Sequence, residues 1–227
     1  MLNPPHHQQS QSGNVLFIIL IAVVLFAALS FAISQTTQHG ERGVTQEKYK
    51  IDSSYVHQFP TMVREAIKRM IISQAMSPTD LSFAHGGNVA YGIPGTTPAR
   101  EVFHPQGGAV AYQFPPANIN DGSDWVFTGN IEVQGIGTTT GTGSGNELLI
   151  LLPGVGMELC MKLNEGFGGG QNVVPTTLTV AGENAAFTGT FTYSGTLNHP
   201  VLNGRDAFCY YSQNLSKYVF YQVLWER

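Results

Sequence analysis

The chain has 227 residues, and only 11% are charged against roughly 25% in an ordinary soluble domain, while 42% are hydrophobic and 11% aromatic. A net charge of −4, a pI of about 5.9 and a mean hydropathy near zero exclude the basic footprint of a nucleic-acid binder, and the aromatic content excludes acidic disorder. The length suffices for one domain with a real core and an appendage.

The charges are unevenly distributed. Residues 1–40 contain no Lys, Arg, Asp or Glu, residues 41–80 contain eleven, and the remaining 147 contain fifteen. Four segments follow: a leader over 1–13, an apolar helix over 14–34, a stalk over 35–80 and a glycine-rich head over 81–227.

From Val15 to Ile33 every residue but Ser30 is apolar. As a helix this segment would be about 28 Å long, close to the thickness of a bilayer core, and apolar all round. A cleavable signal peptide would carry a basic leader and a shorter apolar run, whereas only His6 and His7 precede this one; Ala28-Leu29-Ser30 is a poor cleavage site for that reading. Simple single-pass anchoring is the other general possibility.

Gly13 stands directly before the apolar run, and Gly13-Asn14-Val15-Leu16-Phe17-Ile18-Ile19-Leu20-Ile21 resembles the class III signal segment of type IV pilin-like proteins. The resemblance implies cleavage between Gly13 and Asn14 by a prepilin peptidase and methylation of the new amino terminus. It also implies a helix that first anchors the subunit in membrane lipid and later packs in a filament core. The chain departs from the family at Ile18, where most members carry Glu; some minor, tip-located members lack it too. Arg42, Lys48 and Lys50 follow the segment and nothing basic precedes it, so the positive-inside rule favours the opposite orientation. The interleaved Glu41, Glu47 and Asp52, and the ability of large domains to translocate regardless of flanking charge, leave the implied orientation standing.

Residues 35–43 are polar, and Gly40 and Gly43 suggest a break. An amphipathic helix is predicted over 45–75. Val56, Phe59, Val63, Ile67, Met70 and Ile71 form one stripe for packing on the head, with Arg64, Lys68 and Arg69 solvated and Glu65 paired to Arg69. Pro60 is expected to bend the helix or start a second one, and Ser77-Pro78 to stop it.

The head has the composition of strands and turns. Strands are predicted at 125–128 and 131–133 on either side of Gly129-Asn130, at 147–152, at 187–193, and as a hairpin at 207–211 and 218–224. The Thr/Gly tract 135–145 is read as a flexible loop and 154–166 as a short helix. The expected fold class is α+β: a long N-terminal helix packed on a mostly antiparallel sheet.

Cys160 and Cys209 are the two cysteines. They are either free buried thiols or a disulfide, the second favoured by a membrane-directing segment, and a bridge near the C-terminus is a further resemblance to pilin-like heads. The texture of 160–166 and 218–224 adds to that likeness, which is specific over 13–34, loose over 45–83 and faint beyond.

No catalytic constellation stands out. The seven histidines lack metal-ligand spacing, the glycine-rich tract has no phosphate-loop lysine, and Gly143-Ser144-Gly145 is no nucleophile elbow. Asn118, Asn120, Asp121 and Asp124 around Gly122 are a calcium candidate, and equally the vocabulary of a turn. The sequon at Asn214 reads as hairpin turn chemistry. No cofactor or enzymatic activity is expected.

Three functions remain in view. One is a pilin-like or pseudopilin-like subunit, of the minor kind, of a type IV pilus or type II secretion machine; its partners would be other pilin-like subunits, the assembly machinery and prepilin peptidase. It would be placed in the bacterial inner membrane with its head periplasmic or on a filament. The others are a single-pass anchored extracytoplasmic adhesin or ligand-binding protein, and an anchored enzyme.

Overall fold

The structure is a computed structural model that describes residues 12–170, 174–176 and 178–227, with the side chains of 12–14 and 34–46 outside the description. The chain divides into two compact units, Met1–Lys48 and Tyr49–Arg227. Helical backbone is assigned over α1, Ser12–Ser73, with part of it in each unit. The leader residues 1–11 lie outside the described residues.

In the first unit, Val15–Ile33 is a helix of 19 residues, long and apolar enough to cross a membrane, and exposed throughout. The backbone at Gly40 and Gly43 is helical, contrary to the break predicted there.

In the second unit, the 49–73 part of α1 continues through Pro60, contrary to the bend or restart predicted there. Proline removes one ladder hydrogen bond, but Pro60 is buried beside Phe59 and the flanking stripe is fixed by packing, which overrides local propensity. Val56, Phe59, Val63, Ile67 and Met70 are all buried in one core.

That core covers one face of a five-stranded sheet. Its strands are β1 (Val126–Val133), β2 (Glu147–Pro153), β3 (Gly195–Leu197), β4 (Ala207–Ser212) and β5 (Lys217–Trp225), in the order β3-β1-β2-β5-β4. The sheet is mixed: β1–β2, β2–β5 and β4–β5 are antiparallel, whereas β3 pairs parallel to β1. Leu148, Ile150 and Leu152 of β2 face α1 and the short helix α2 (Met157–Gly166). Leu149 and Leu151 face a second core closed by Leu178, Val180, Leu197 and Leu202. A strand buried on both faces reads as a continuous apolar run, which is why residues 147–152 show no alternation.

Two strand predictions need correction. Residues 126–133 form one strand, not two, and Trp125 lies outside it; Gly129-Asn130 is a bulge, since the register against β2 shifts between Thr128 and Ile131. Residues 187–193 alternate at period two yet form no strand. Its backbone bonds to β1 at Phe187, whose N–H donates to Phe127 O (2.8 Å), and just beyond its end at Ser194, whose N–H donates to Asn130 O (2.9 Å). Gly189, at φ +88°, turns the backbone away in between.

Candidate functional site

Gly13 and Asn14 lie in the first turn of α1, directly before the exposed apolar segment, and their side-chain surroundings are outside the described residues. Ile18 is 58% exposed and Phe17 62%, so the isolated chain leaves this surface uncovered.

Cys160 on α2 and Cys209 on β4 form a disulfide pair with a Cα–Cα distance of 5.4 Å, across a sequence separation of 49. One turn further along α2, the buried side chain of Asn164 accepts from Cys209 N–H at 2.7 Å and donates to Cys209 O at 2.8 Å. The helix is thus joined to the edge strand covalently and by a side-chain amide acting as a strand partner. Beyond Asn164 the same edge is covered by Pro175 and Leu178, whose carbonyls accept from Tyr211 N–H and Gln213 N–H. Sequence reasoning found the cysteines but missed Asn164, whose only signal was a polar residue on the apolar face of a short helix.

The polar loop 118–124 has the geometry of a turn. Asn120 donates to Ser123 O and Pro153 O, and its Oδ1 accepts from Gly122 N–H. Asp121 Oδ1 accepts from Ser123, while its Oδ2 lies 2.6 Å from Lys217 Nζ. The Lys217 ammonium, followed by the Ser123 hydroxyl, holds the Asp121 carboxyl down at about 2. Asp124 accepts from the Tyr112 hydroxyl at 2.5 Å and from its neighbour's Trp125 N–H. Asn118 sits at φ +74°, beside a cavity of about 300 Å³ that Asn120 and Asp124 also line. Among the described residues no three His, Cys, Asp or Glu side chains gather as a metal-binding set.

The stalk cations are not a merely solvated face. Arg64 pairs with Asp206 at 2.6 Å, and Arg69 donates to Gly108 O at 2.5 Å. Glu65 meets Lys68, three residues on, rather than Arg69. His57, on the same helix, has its imidazole pushed below the ordinary value by burial and by the Arg64 charge. The 135–145 tract is tied down as well: Thr138 N–H donates to Arg227 O, Arg227 to Gly143 O, and Gly141 N–H to Glu132 Oε2.

The fold and these features define an α+β protein with an N-terminal apolar helix of membrane-spanning length and a disulfide-distance cysteine pair in its sheet unit. Comparison of the chain with protein-family models, with curated proteins and with solved structures returns no match.

Proposed function

We propose that this chain is a pilin-like structural subunit, of the minor kind, of a type IV pilus or type II secretion pseudopilus. Its apolar helix would move from membrane lipid into a filament core, and its sheet unit would cover the surface. The observation that carries the reading is the wholly exposed apolar helix Val15–Ile33 placed immediately after Gly13-Asn14. Burying such a surface requires lipid or other helices, because every face is apolar. The stalk stripe packed on a sheet, and a disulfide that fastens the C-terminal hairpin, are in keeping with it.

Intact-mass analysis of the mature protein is the direct test. A chain that begins at N-methylated Asn14 is expected; an intact Met1, or a start near Phe31, overturns the reading.

A single-pass anchored binding protein that never polymerises is the second reading, favoured by Ile18 in place of an acidic residue. Cysteine crosslinking along residues 15–33, with the assembly machinery present, separates the two. A ladder of crosslinked species marks a subunit, and an uncrosslinked monomer marks an anchor.

A further inference from the structure

The cavity of about 300 Å³ beside the polar loop is lined by residues 114–118 and by Asn120, Gly122, Ser123 and Asp124. Its volume lies at the small end of ligand clefts, with room for one monosaccharide-sized molecule. The sequence builds this wall stiffly. Pro115 and Pro116 each fix φ, and the residue before a proline is held extended. Asn118 then takes its left-handed turn at φ +74°, which an Asn side chain tolerates. Phe114 remains 64% exposed. One edge of its ring lies over Gly87, where an added Cβ would come within 3.1 Å of Phe114 Cε1.

Tyr112 ties the aromatic and acidic parts of the cavity together. Its ring meets Phe114 edge-on, with centroids 5.1 Å apart and planes at 89°, and its hydroxyl donates to Asp124 Oδ1 at 2.5 Å. The same ring stacks at 3.9 Å on the buried imidazole of His85. Burial, followed by the Asp124 bond, raises the Tyr112 hydroxyl well above its ordinary value, so it stays a donor. One core-anchored side chain therefore positions both an exposed phenyl ring and a carboxylate before any ligand arrives.

The remaining hydrogen-bonding capacity is specific. Asn120 spends its amide hydrogens on Ser123 O and Pro153 O, and Asp124 Oδ1 serves Tyr112 and Trp125. Asp124 Oδ2 and the Asn118 carboxamide have no hydrogen-bond partner among the described residues, and Ser123 Oγ keeps its capacity to accept. Asp124 is the one charged residue in the lining, and the neighbouring Asp121 is already paired with Lys217. A matching ligand offers an apolar face to the ring and adjacent groups that both donate and accept.

We propose that this cavity binds a pyranose unit of a carbohydrate, its C–H face against Phe114 and neighbouring hydroxyls on Asp124 Oδ2 and the Asn118 carboxamide. The inference rests on neither reading of the apolar helix given above.

The test is saturation-transfer-difference NMR of the full chain, in zwitterionic micelles free of sugar headgroups and with EDTA present. The probes are methyl α- and β-pyranosides of glucose, galactose, mannose and N-acetylglucosamine. Saturable transfer to the ring protons of at least one of them is expected, with a Kd in the millimolar range. Phe114→Leu, which removes the ring from an exposed position, and Asn118→Gly, which suits the positive φ, should each weaken binding by about ten-fold. Phe114→Tyr should retain it, and Lys68→Ala, in a separate cavity beside Arg64 and Asp206, should leave it unchanged. No saturable transfer with any probe overturns the inference. So does binding that neither Phe114→Leu nor Asn118→Gly weakens, and so does binding that appears only when calcium replaces EDTA.

Discussion

The side chain of Asn164 pairs with both backbone polar groups of Cys209, at 2.7 and 2.8 Å, one helical turn from the disulfide that joins Cys160 to the same residue. An edge strand exposes unpaired N–H and C=O groups. At Cys209 a side-chain amide takes the place of a neighbouring strand. Replacing Asn164 with Leu keeps the volume but leaves a buried donor and a buried acceptor unsatisfied. Urea unfolding of the full chain in detergent should show a loss of about 2–4 kcal/mol.

The covalent link acts through the unfolded chain. Closing a loop over a sequence separation of 49 is worth about 4 kcal/mol on the chain-entropy model. Reduction with dithiothreitol, or the double variant Cys160→Ala/Cys209→Ala, should lower stability by that order. Two freely alkylated thiols in the native protein would refute the bridge.

Gly129 is irreplaceable for a packing reason. A Cβ there would come within 2.8 Å of the Phe191 ring and 2.9 Å of the Phe187 ring, the latter fully buried. Gly129→Ala should therefore cost about 1–3 kcal/mol of unfolding free energy. Gly156→Ala, with nothing within 4 Å of the added carbon, should fall within about 0.5 kcal/mol of wild type.

Glu183 supplies a pH dependence with a definite sign. It is buried and accepts hydroxyl bonds from Tyr210 at 2.5 Å and Ser212 at 2.6 Å. Burial raises its carboxyl above the ordinary value, and the Ser212 and Tyr210 bonds only partly oppose this. A carboxyl raised on folding binds more protons in the native state, so its contribution to stability falls as pH rises from the ordinary carboxylate range through the raised value. Glu183→Gln should flatten that slope in unfolding curves taken across mildly acidic to neutral pH; an unchanged slope would show that another group titrates.

The period-based signals were legible from residues alone. Of the predicted stripe, Val56, Phe59, Val63, Ile67 and Met70 are buried as their spacing requires and Ile71 is half-buried at its margin, and the 207–224 hairpin pairs in register from Ala207↔Gln222 to Ser212↔Lys217. Contacts that join distant positions were not. Arg64 finds Asp206 across 142 residues and Arg69 finds Gly108 across 39, so a basic run that reads as a solvated face instead ties the helix to the sheet unit. Residues 187–193 carry the alternation of a strand without the ladder, since alternation reports which side chains are apolar and not whether a neighbouring backbone lies within reach.

The sequence by itself determined the uncharged apolar helix at 15–33, the stripe of the stalk and the strand-rich composition of the head. Each is a local pattern of hydrophobicity, and burial follows from it directly. Only the tertiary structure decided the strand order β3-β1-β2-β5-β4, the parallel pairing of β3, the bulge at Gly129 and the pairing of Asn164 with Cys209. These depend on where backbone donors and acceptors meet across long sequence separations. That is a matter of satisfying buried hydrogen bonds, and no single stretch of residues specifies it.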